Sequence, residues 1–347
     1  MPRLSGIAIH GYGVYIPMMR IKASEISRMW GGSDSELPVI EKSVNNLDED
    51  TVTMAIEAAS YAIARAGISP QKIGAVYVGS ESHPYAVKPT GTIVAEAIGV
   101  NSRLLSADLE FACKAGTEAM QLVMGLVASG IIEFGLAIGA DTAQGRPGDA
   151  LEYTAAAGGA AFTIGRTSDS VVAEIEFASS YVSDTPDFWR RSYERYPMHA
   201  SRFTGAPAYF HHIVSSVKMV LDEGYSLNDF DYAVFHQPNT KFPFAVAKML
   251  GIPPKKVEPG VVCNLVGNTY AASSMLGVAK VLDQAKPGER ILMASYGSGA
   301  GSDVFVIRAG DGISEKRAKA PLVTDFIERK RYVDYSLYLR ARNKIRG

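Results

Sequence analysis

The chain is poor in cysteine: its 347 residues include only Cys113 and Cys263, which stand 263 − 113 = 150 positions apart. This excludes a disulfide framework and a cysteine-based metal knuckle, and it fits a reducing compartment such as the cytoplasm. An excess of charge is also missing. Thirty-five Lys and Arg against thirty-six Asp and Glu leave a net charge of −1 and no basic face for nucleic acid. The opening M-P-R-L-S-G-I-A-I-H has too short an apolar run for a signal peptide. Residues 119–140 carry one charge, Glu133, but Ser129, Gly130 and Gly135 interrupt the run and its period changes. It therefore reads as a buried helix followed by a buried strand, not as a membrane span.

Apolar residues make up 47% of the chain, enough for a large core. Helix-like and strand-like segments alternate, which places the fold in the α/β class. Strands are predicted over residues 7–15, 73–78, 103–108, 135–139 and 155–164, with helices over 21–30, 90–98 and the stretch after Cys113. A further helix opens at Asp48, Glu49 and Asp50 and runs to Ala66. The polar stretch 31–46 reads as a loop, a candidate substrate cover.

From Val171 the order begins again, with a strand over 171–177, an aromatic and basic insertion over 188–210, and a helix over 209–223. The chain thus divides into two similar halves, residues 1–168 and 169–347. In the first, a strand delivers Glu81; in the second, G-Y-S-L-N-D-F-D-Y-A-V-F-H-Q-P-N delivers His236. Glu81 to Cys113 is 113 − 81 = 32 positions and His236 to Asn268 is 268 − 236 = 32, so Asn268 is expected to be the counterpart of Cys113.

Cys113 lies in S-A-D-L-E-F-A-C-K-A-G-T-E-A-M, at the start of a helix. Unpaired N–H groups and the helix dipole there are expected to lower the thiol pKa and favour a nucleophilic thiolate. By itself a lone cysteine reads as readily as a small packed hydrophobe. With His236 and Asn268, also at element boundaries, it makes a set of nucleophile, acid/base and polarising amide.

The motifs G-S-E-S around Glu81, D-L-E-F-A-C-K-A-G-T around Cys113, G-A-D-T-A around Asp141, L-E-Y-T-A-A-A-G-G-A-A-F, S-R-F-T-G-A-P-A-Y-F, H-Q-P-N-T-K-F-P, G-N-T-Y-A-A-S-S and S-Y-G-S-G-A-G-S-D cover essentially the whole chain. Together they resemble the thiolase superfamily, its condensing enzymes, and most closely the archaeal type of hydroxymethylglutaryl-CoA (HMG-CoA) synthase. The resemblance implies a thiolase-like fold, two similar halves forming a five-layer αβαβα sandwich with two five-stranded sheets, and a dimer. It implies that acetyl-CoA acylates Cys113, that Glu81 deprotonates the acetyl methyl, and that the enolate attacks acetoacetyl-CoA with His236 supporting the alkoxide. Water then frees HMG-CoA, in the mevalonate route to isoprenoids. No cofactor is expected, since the CoA thioesters are substrates.

By the same resemblance Thr154, Arg202, Thr204, Lys241, Asn268 and Ser298 contact substrates, and the N–H groups of Cys113 and Ser298 hold the acyl oxygen. Position 245 is alanine where archaeal members often carry arginine, and Ala156 stands where they often carry serine. His83, His199, His211 and His212 read as structural or peripheral, and Cys263 as a packed thiol. Relatives of this type are expected to assemble with acetoacetyl-CoA thiolase and a small zinc-containing OB-fold protein. The segment 316–347, with ten Lys and Arg against three Asp and Glu, reads as a solvated basic tail and a candidate docking element. The competing readings are a ketoacyl-acyl carrier protein synthase III-like enzyme, which decarboxylates a malonyl group and needs no carboxylate base, and a non-catalytic scaffold of a thiolase complex.

Overall fold

A computed structural model describes residues 6–33, 36–142 and 145–342. Residues 34 and 35 of the polar stretch, Ala143 of the G-A-D-T-A motif and residues 343–347 of the basic segment lie outside the described residues.

Two successions of strands share one order. The first is β1 (Ile7–Tyr15), β2 (Ile73–Gly79), β3 (Leu105–Leu109), β4 (Phe134–Thr142) and β5 (Ala157–Arg166). The second is β6 (Ala173–Val182), β7 (Tyr232–Phe235), β8 (Arg290–Ala294) and β9 (Gly301–Ala309). They form one nine-stranded sheet in the order β7-β8-β9-β6-β1-β5-β4-β2-β3. Outward from the centre each half pairs its first strand antiparallel with its last, the last antiparallel with the next, and that one parallel with the strand beyond. The halves meet where β1 pairs with β6 over only two residue pairs, Ala8 with Glu174 and Ile9 with Ala173.

The second half has four strands in this sheet rather than the expected five. The segment beyond β7 instead forms short helical turns, Pro254–Val257 and Glu258–Gly260. Prolines at 253, 254 and 259 remove the N–H groups a further strand would need.

The helices that matter for the site are α1 (Thr51–Ala66), α2 (Thr90–Ala97), α3 (Ala115–Ala128), α4 (His211–Asp222), α5 (Lys241–Leu250) and α6 (Ser273–Leu282). Asp50 caps α1 by accepting from Thr53 N at 2.9 Å, and Gly67 ends it at φ 69°. Helix α1 lies so close to β1 that a Cβ on Gly11 or Gly13 would sit 2.0 Å from a helix carbonyl oxygen. The small-residue helices α3 and α6 occupy the middle. A Cβ on Gly139 of β4 would lie 2.4 Å from Ala271 O, and Gln121 of α3 donates across to Asp303 of β9 at 2.9 Å. Helix α4 covers β6 and β9 from outside. The run 119–140 is accordingly most of α3 followed by β4, and among the described residues no helix is long and apolar enough to cross a membrane.

Two sequence expectations change. Part of the polar stretch 31–46 is a buried strand, Glu41–Val44, paired with Met19–Lys22, which Arg331–Tyr332 joins on its other edge. The basic segment is not a solvated tail: through residue 342 it forms helices Ile313–Arg317, Val323–Glu328 and Tyr335–Ala341, with Lys316, Tyr335, Tyr338 and Arg342 buried.

Candidate active site

The ends of several strands converge on one spot, the usual place for a ligand in an open α/β sheet. After β2 the bend Ser80-Glu81-Ser82 wraps the buried carboxylate of Asp141, near the end of β4. Asp141 Oδ1 accepts from Ser80 Oγ at 2.6 Å, Glu81 N at 2.9 Å and Ser82 Oγ at 2.6 Å. Its other oxygen accepts from Ala271 N at 2.9 Å in the second half, so one carboxylate ties the Glu81 bend to the Asn268 segment.

Cys113 is the middle residue of a 3-10 turn, Ala112–Lys114, that precedes α3 and is entered through Ala112 at φ 43°. The sulfur is buried among Ala155, Tyr270 and Phe188. The Asn268 side chain lies beside it and lowers its pKa against larger opposing effects, and the amide is oriented because its Oδ1 accepts from Tyr270 N at 2.9 Å. The expected acidic thiol is not found: burial pushes the Cys113 pKa well up, and the nearby Glu81 and Asp141 carboxyls push it further. The N–H groups meant to stabilise a thiolate are engaged, Lys114 N with Phe111 O at 3.1 Å and Ala115 N with Ala112 O.

Glu81 Oε1 is buried without a hydrogen-bond partner. Desolvation raises the Glu81 pKa well above the carboxylate range, Asp141 and Glu110 add to this, and Arg190 opposes it. Arg190 also donates to the Glu81 carbonyl at 3.2 Å. Beside Glu81 opens a cleft of about 1150 Å³ whose walls include Ala112, Phe188, Arg190 and Tyr270.

His236 follows β7, its N donating to Ala294 O at 3.0 Å and its carbonyl accepting from Tyr209 Oη at 2.6 Å. Its Nδ1 is buried and unpartnered, and burial lowers the imidazole pKa to about 3, so the ring is neutral at physiological pH. Tyr296 lies beside it, ring centroids 6.3 Å apart, with the Ser298 side chain near its hydroxyl. Asp187 anchors that turn, accepting from Tyr296 Oη at 2.6 Å and Gly299 N at 2.9 Å.

Of the residues singled out from sequence, Glu81 lines the cleft, Cys113 lies buried close enough to Glu81 and Asn268 to feel both, and Ser298 and His236 each adjoin Tyr296, which is itself near Cys113. Thr154 enters through its backbone, its carbonyl accepting from Asn268 N at 2.8 Å. Arg202, Thr204 and Lys241 are not brought to the sulfur. Arg202 is exposed, Thr204 Oγ1 bonds only locally to Ala200 O at 3.5 Å, and Lys241, 69% exposed, lies 3.4 Å from Glu36 at the start of α5. Asp187, Phe188, Arg190, Tyr209, Tyr270 and Tyr296 were not singled out. The motif S-Y-G-S-G-A-G-S-D holds Tyr296, but no pattern marks Asp187, which stands just before the insertion. Among the described residues, no three His, Cys, Asp or Glu side chains are arranged to hold a metal ion.

Asn268 is not the counterpart of Cys113. The turn Ala112–Lys114 before α3 matches Tyr270–Ala272 before α6, each entered through a non-glycine residue at positive φ, 43° and 50°. The middle residue of the second turn is Ala271, and Asn268 lies three positions earlier, 271 − 268 = 3, in the preceding loop. The two spacings of 32 are coincidental.

The family described as 3-Oxoacyl-[acyl-carrier-protein (ACP)] synthase III C terminal matches residues 221–309. A hydroxymethylglutaryl-CoA synthase of Thermococcus gammatolerans is 59% identical over 97% of this chain and 96% of its own length. A hydroxymethylglutaryl-CoA synthase of Archaeoglobus fulgidus is 57% identical over 98% of this chain and its full length. Among solved structures, MvaS in complex with 3-hydroxy-3-methylglutaryl coenzyme A superposes with a TM-score of 0.86 at 21% identity, covering 99% of this chain and 92% of that one.

Proposed function

The chain belongs to the hydroxymethylglutaryl-CoA synthase family, and from that premise we propose that it condenses acetyl-CoA with acetoacetyl-CoA and water to HMG-CoA and CoA, with Cys113, Glu81 and His236 carrying the chemistry. The observation that carries the assignment of roles is the Glu81 carboxyl. Its Oε1 is buried and unpartnered, and it lies close enough to Cys113 to perturb the thiol electrostatically.

Cys113 first exchanges with acetyl-CoA, its sulfur bonding the acetyl carbon while the thiol proton leaves with the CoA thiolate. The N–H groups of Cys113 and Ser298 receive the oxyanion of this step. Burial raises the Glu81 pKa, so its carboxylate is a stronger base than an exposed one; it takes a proton from the acetyl methyl and holds it in a poorly solvated site. The enolate carbon attacks C3 of acetoacetyl-CoA. His236, neutral, polarises that carbonyl as a hydrogen-bond donor, with the Asn268 amide alongside, and the proton on Glu81 passes to the alkoxide. Water cleaves the thioester, leaving a free carboxyl on the product and the thiol on Cys113. Arg202, Thr204 and Lys241 sit at the periphery, which suits contacts to the distal part of CoA.

The placement in the mevalonate route follows from this reaction, and free Cys113 and Cys263 thiols support the cytoplasm as compartment. We assign dimer formation to the edge strand β3. Docking of a thiolase and its zinc-containing OB-fold partner is assigned to the insertion that exposes Trp189, Tyr193, Met198 and Phe203.

The Glu81→Gln protein tests the roles. It is expected to form acetyl-Cys113 from labelled acetyl-CoA, as seen by mass spectrometry, while HMG-CoA formation falls by about 10²-fold or more. Unimpaired condensation by this variant would instead favour a decarboxylating enzyme of the synthase III kind, and a wild-type chain left unlabelled at Cys113 would favour a scaffold.

A further inference from the structure

An ion pair directly behind the nucleophile takes no part in the reaction above. Lys114, the residue after Cys113, is fully buried. Its ammonium lies 3.1 and 3.2 Å from the two oxygens of Asp303, bonds Glu118, and sits 4.0 Å from the centroid of the Phe111 ring. Asp303, on β9 and equally buried, also accepts from Thr117 Oγ1 at 2.6 Å, from Gln121 Nε2 at 2.9 Å and from the Ser180 hydroxyl. A buried pair of this kind adds little net stability over packed apolar residues, because both charges must be desolvated. Nor does it activate the thiol: two carboxylates neutralise the ammonium, and the Cys113 pKa is raised.

What the pair defines is geometry. A Cβ on Gly297 would lie 2.4 Å from Phe111 O, 2.9 Å from Lys114 N and 3.0 Å from Lys114 Cγ, and one on Gly301 would lie 2.9 Å from Lys114 Cε. The Lys114 stem therefore runs along the turn whose ends, Gly297 and Gly301, exchange backbone hydrogen bonds of 2.8 and 2.9 Å. Ser298 lies within that turn. Beyond Gly301 the same strand carries Asp303, which grips the end of the stem. One side chain thus joins the turn of Cys113, in the first half, to the turn of Ser298, in the second.

We propose that Lys114, held by Asp303, is the positioning residue that sets the Cys113 N–H and the Ser298 N–H at the separation a thioester oxygen requires. The inference rests on Cys113 being the acyl carrier. Its prediction is specific: without the clamp the oxyanion site opens, while the nucleophile remains present and accessible.

The test compares two reactions of the same thiol in wild type, Lys114→Met and Asp303→Asn. Acetylation by acetyl-CoA develops an oxyanion; alkylation by iodoacetamide, a displacement at saturated carbon, does not. Both variants are expected to acetylate Cys113 about 10²-fold more slowly at saturating acetyl-CoA. The KM for acetyl-CoA should stay within about threefold and the alkylation rate within about twofold of wild type, which a loosened fold would not allow. Asp303→Asn preserves the volume of the site and the Lys114–Glu118 contact, so it carries the comparison if Lys114→Met does not fold. The proposal is overturned if acetylation is unimpaired, or if acetylation and alkylation fall together. A wild-type chain acetylated elsewhere than Cys113 would overturn the carrier assignment instead, and the two failures are separable.

Discussion

At the scale of single residues, the site is set by desolvation more than by the charges that sequence patterns suggest. A helix start promised an acidic thiol at Cys113, yet the N–H groups of Lys114 and Ala115 are engaged and the Glu81 and Asp141 carboxyls lie nearby. Glu81 pays the same penalty, and that makes it useful, because a carboxyl held toward neutrality can take and return a proton. The cost should be measurable. The folded pKa of Glu81 lies above the ordinary 4.5, so above pH 4.5 the native state binds more protons than the unfolded chain. Stability contributed by this proton is complete below pH 4.5 and is lost as the pH rises through the folded pKa. Glutamine cannot ionise. Glu81→Gln should therefore be more stable than wild type at pH 8, by about 1–3 kcal/mol, with the difference shrinking toward pH 4. Urea midpoints across that range check it, and a pH-independent difference would contradict the account.

At the scale of elements, those with clear periodicity or capping were legible: β1, α1, β2, α3, β4 and β5 all fall where the residues place them. The failures share a cause, namely charged residues that tertiary contacts bury. Lys42 made residues 31–46 look like a loop, but its ammonium bonds Glu152 O and, at 3.2 Å, Tyr338 Oη. Net charge made 316–347 look like a solvated tail. Yet Arg342 donates to Thr142 O at 2.6 Å and to Asn45, and Val333, Tyr335, Tyr338 and Ala341 pack with Ile21, Ile26 and Val44. Deleting this segment would remove part of a hydrophobic cluster, so its loss cannot report on docking. Helix Tyr335–Ala341 also braces the loop and the short helix, Ala150–Thr154, that end at Thr154. Glu152 accepts from Tyr335 Oη at 3.0 Å, from Trp30 Nε1 at 3.1 Å and from Gly148 N at 2.7 Å. Tyr335→Phe removes one donor from a buried carboxylate and should lower stability by about 1–3 kcal/mol in urea unfolding, with the fold retained. A change below about 0.3 kcal/mol would mean that the helix does not brace the loop.

At the scale of the whole molecule, the site is a seam. Asp141 reaches Ala271, Lys114 reaches Asp303 and Thr154 reaches Asn268, each contact crossing from one half to the other. The catalytic candidates were legible because each sits at a strand or helix end within its own motif. These crossings were not, because partners more than a hundred positions apart leave no spacing to read, and the one spacing that looked meaningful paired Cys113 with the wrong residue. A second seam follows from the edges of the sheet. β3 is an outer strand, bonded on one side only to β2, and near it Leu105, Tyr85 and Val87 are exposed, Val87 to 93%. An open edge flanked by apolar side chains invites pairing with another strand, and a second copy of this chain meets it with the same surface. The wild-type chain is thus expected to sediment at twice its own mass. Leu105→Arg combined with Val87→Arg should weaken self-association by at least about 10²-fold, through a desolvated like-charge contact costing about 3 kcal/mol or more. Sedimentation of the same variant with a thiolase and its zinc-containing partner separates the two surfaces: binding through the aromatic insertion persists when the dimer is lost. A wild-type monomer, or an undiminished dimer in the double variant, would refute the assignment of β3.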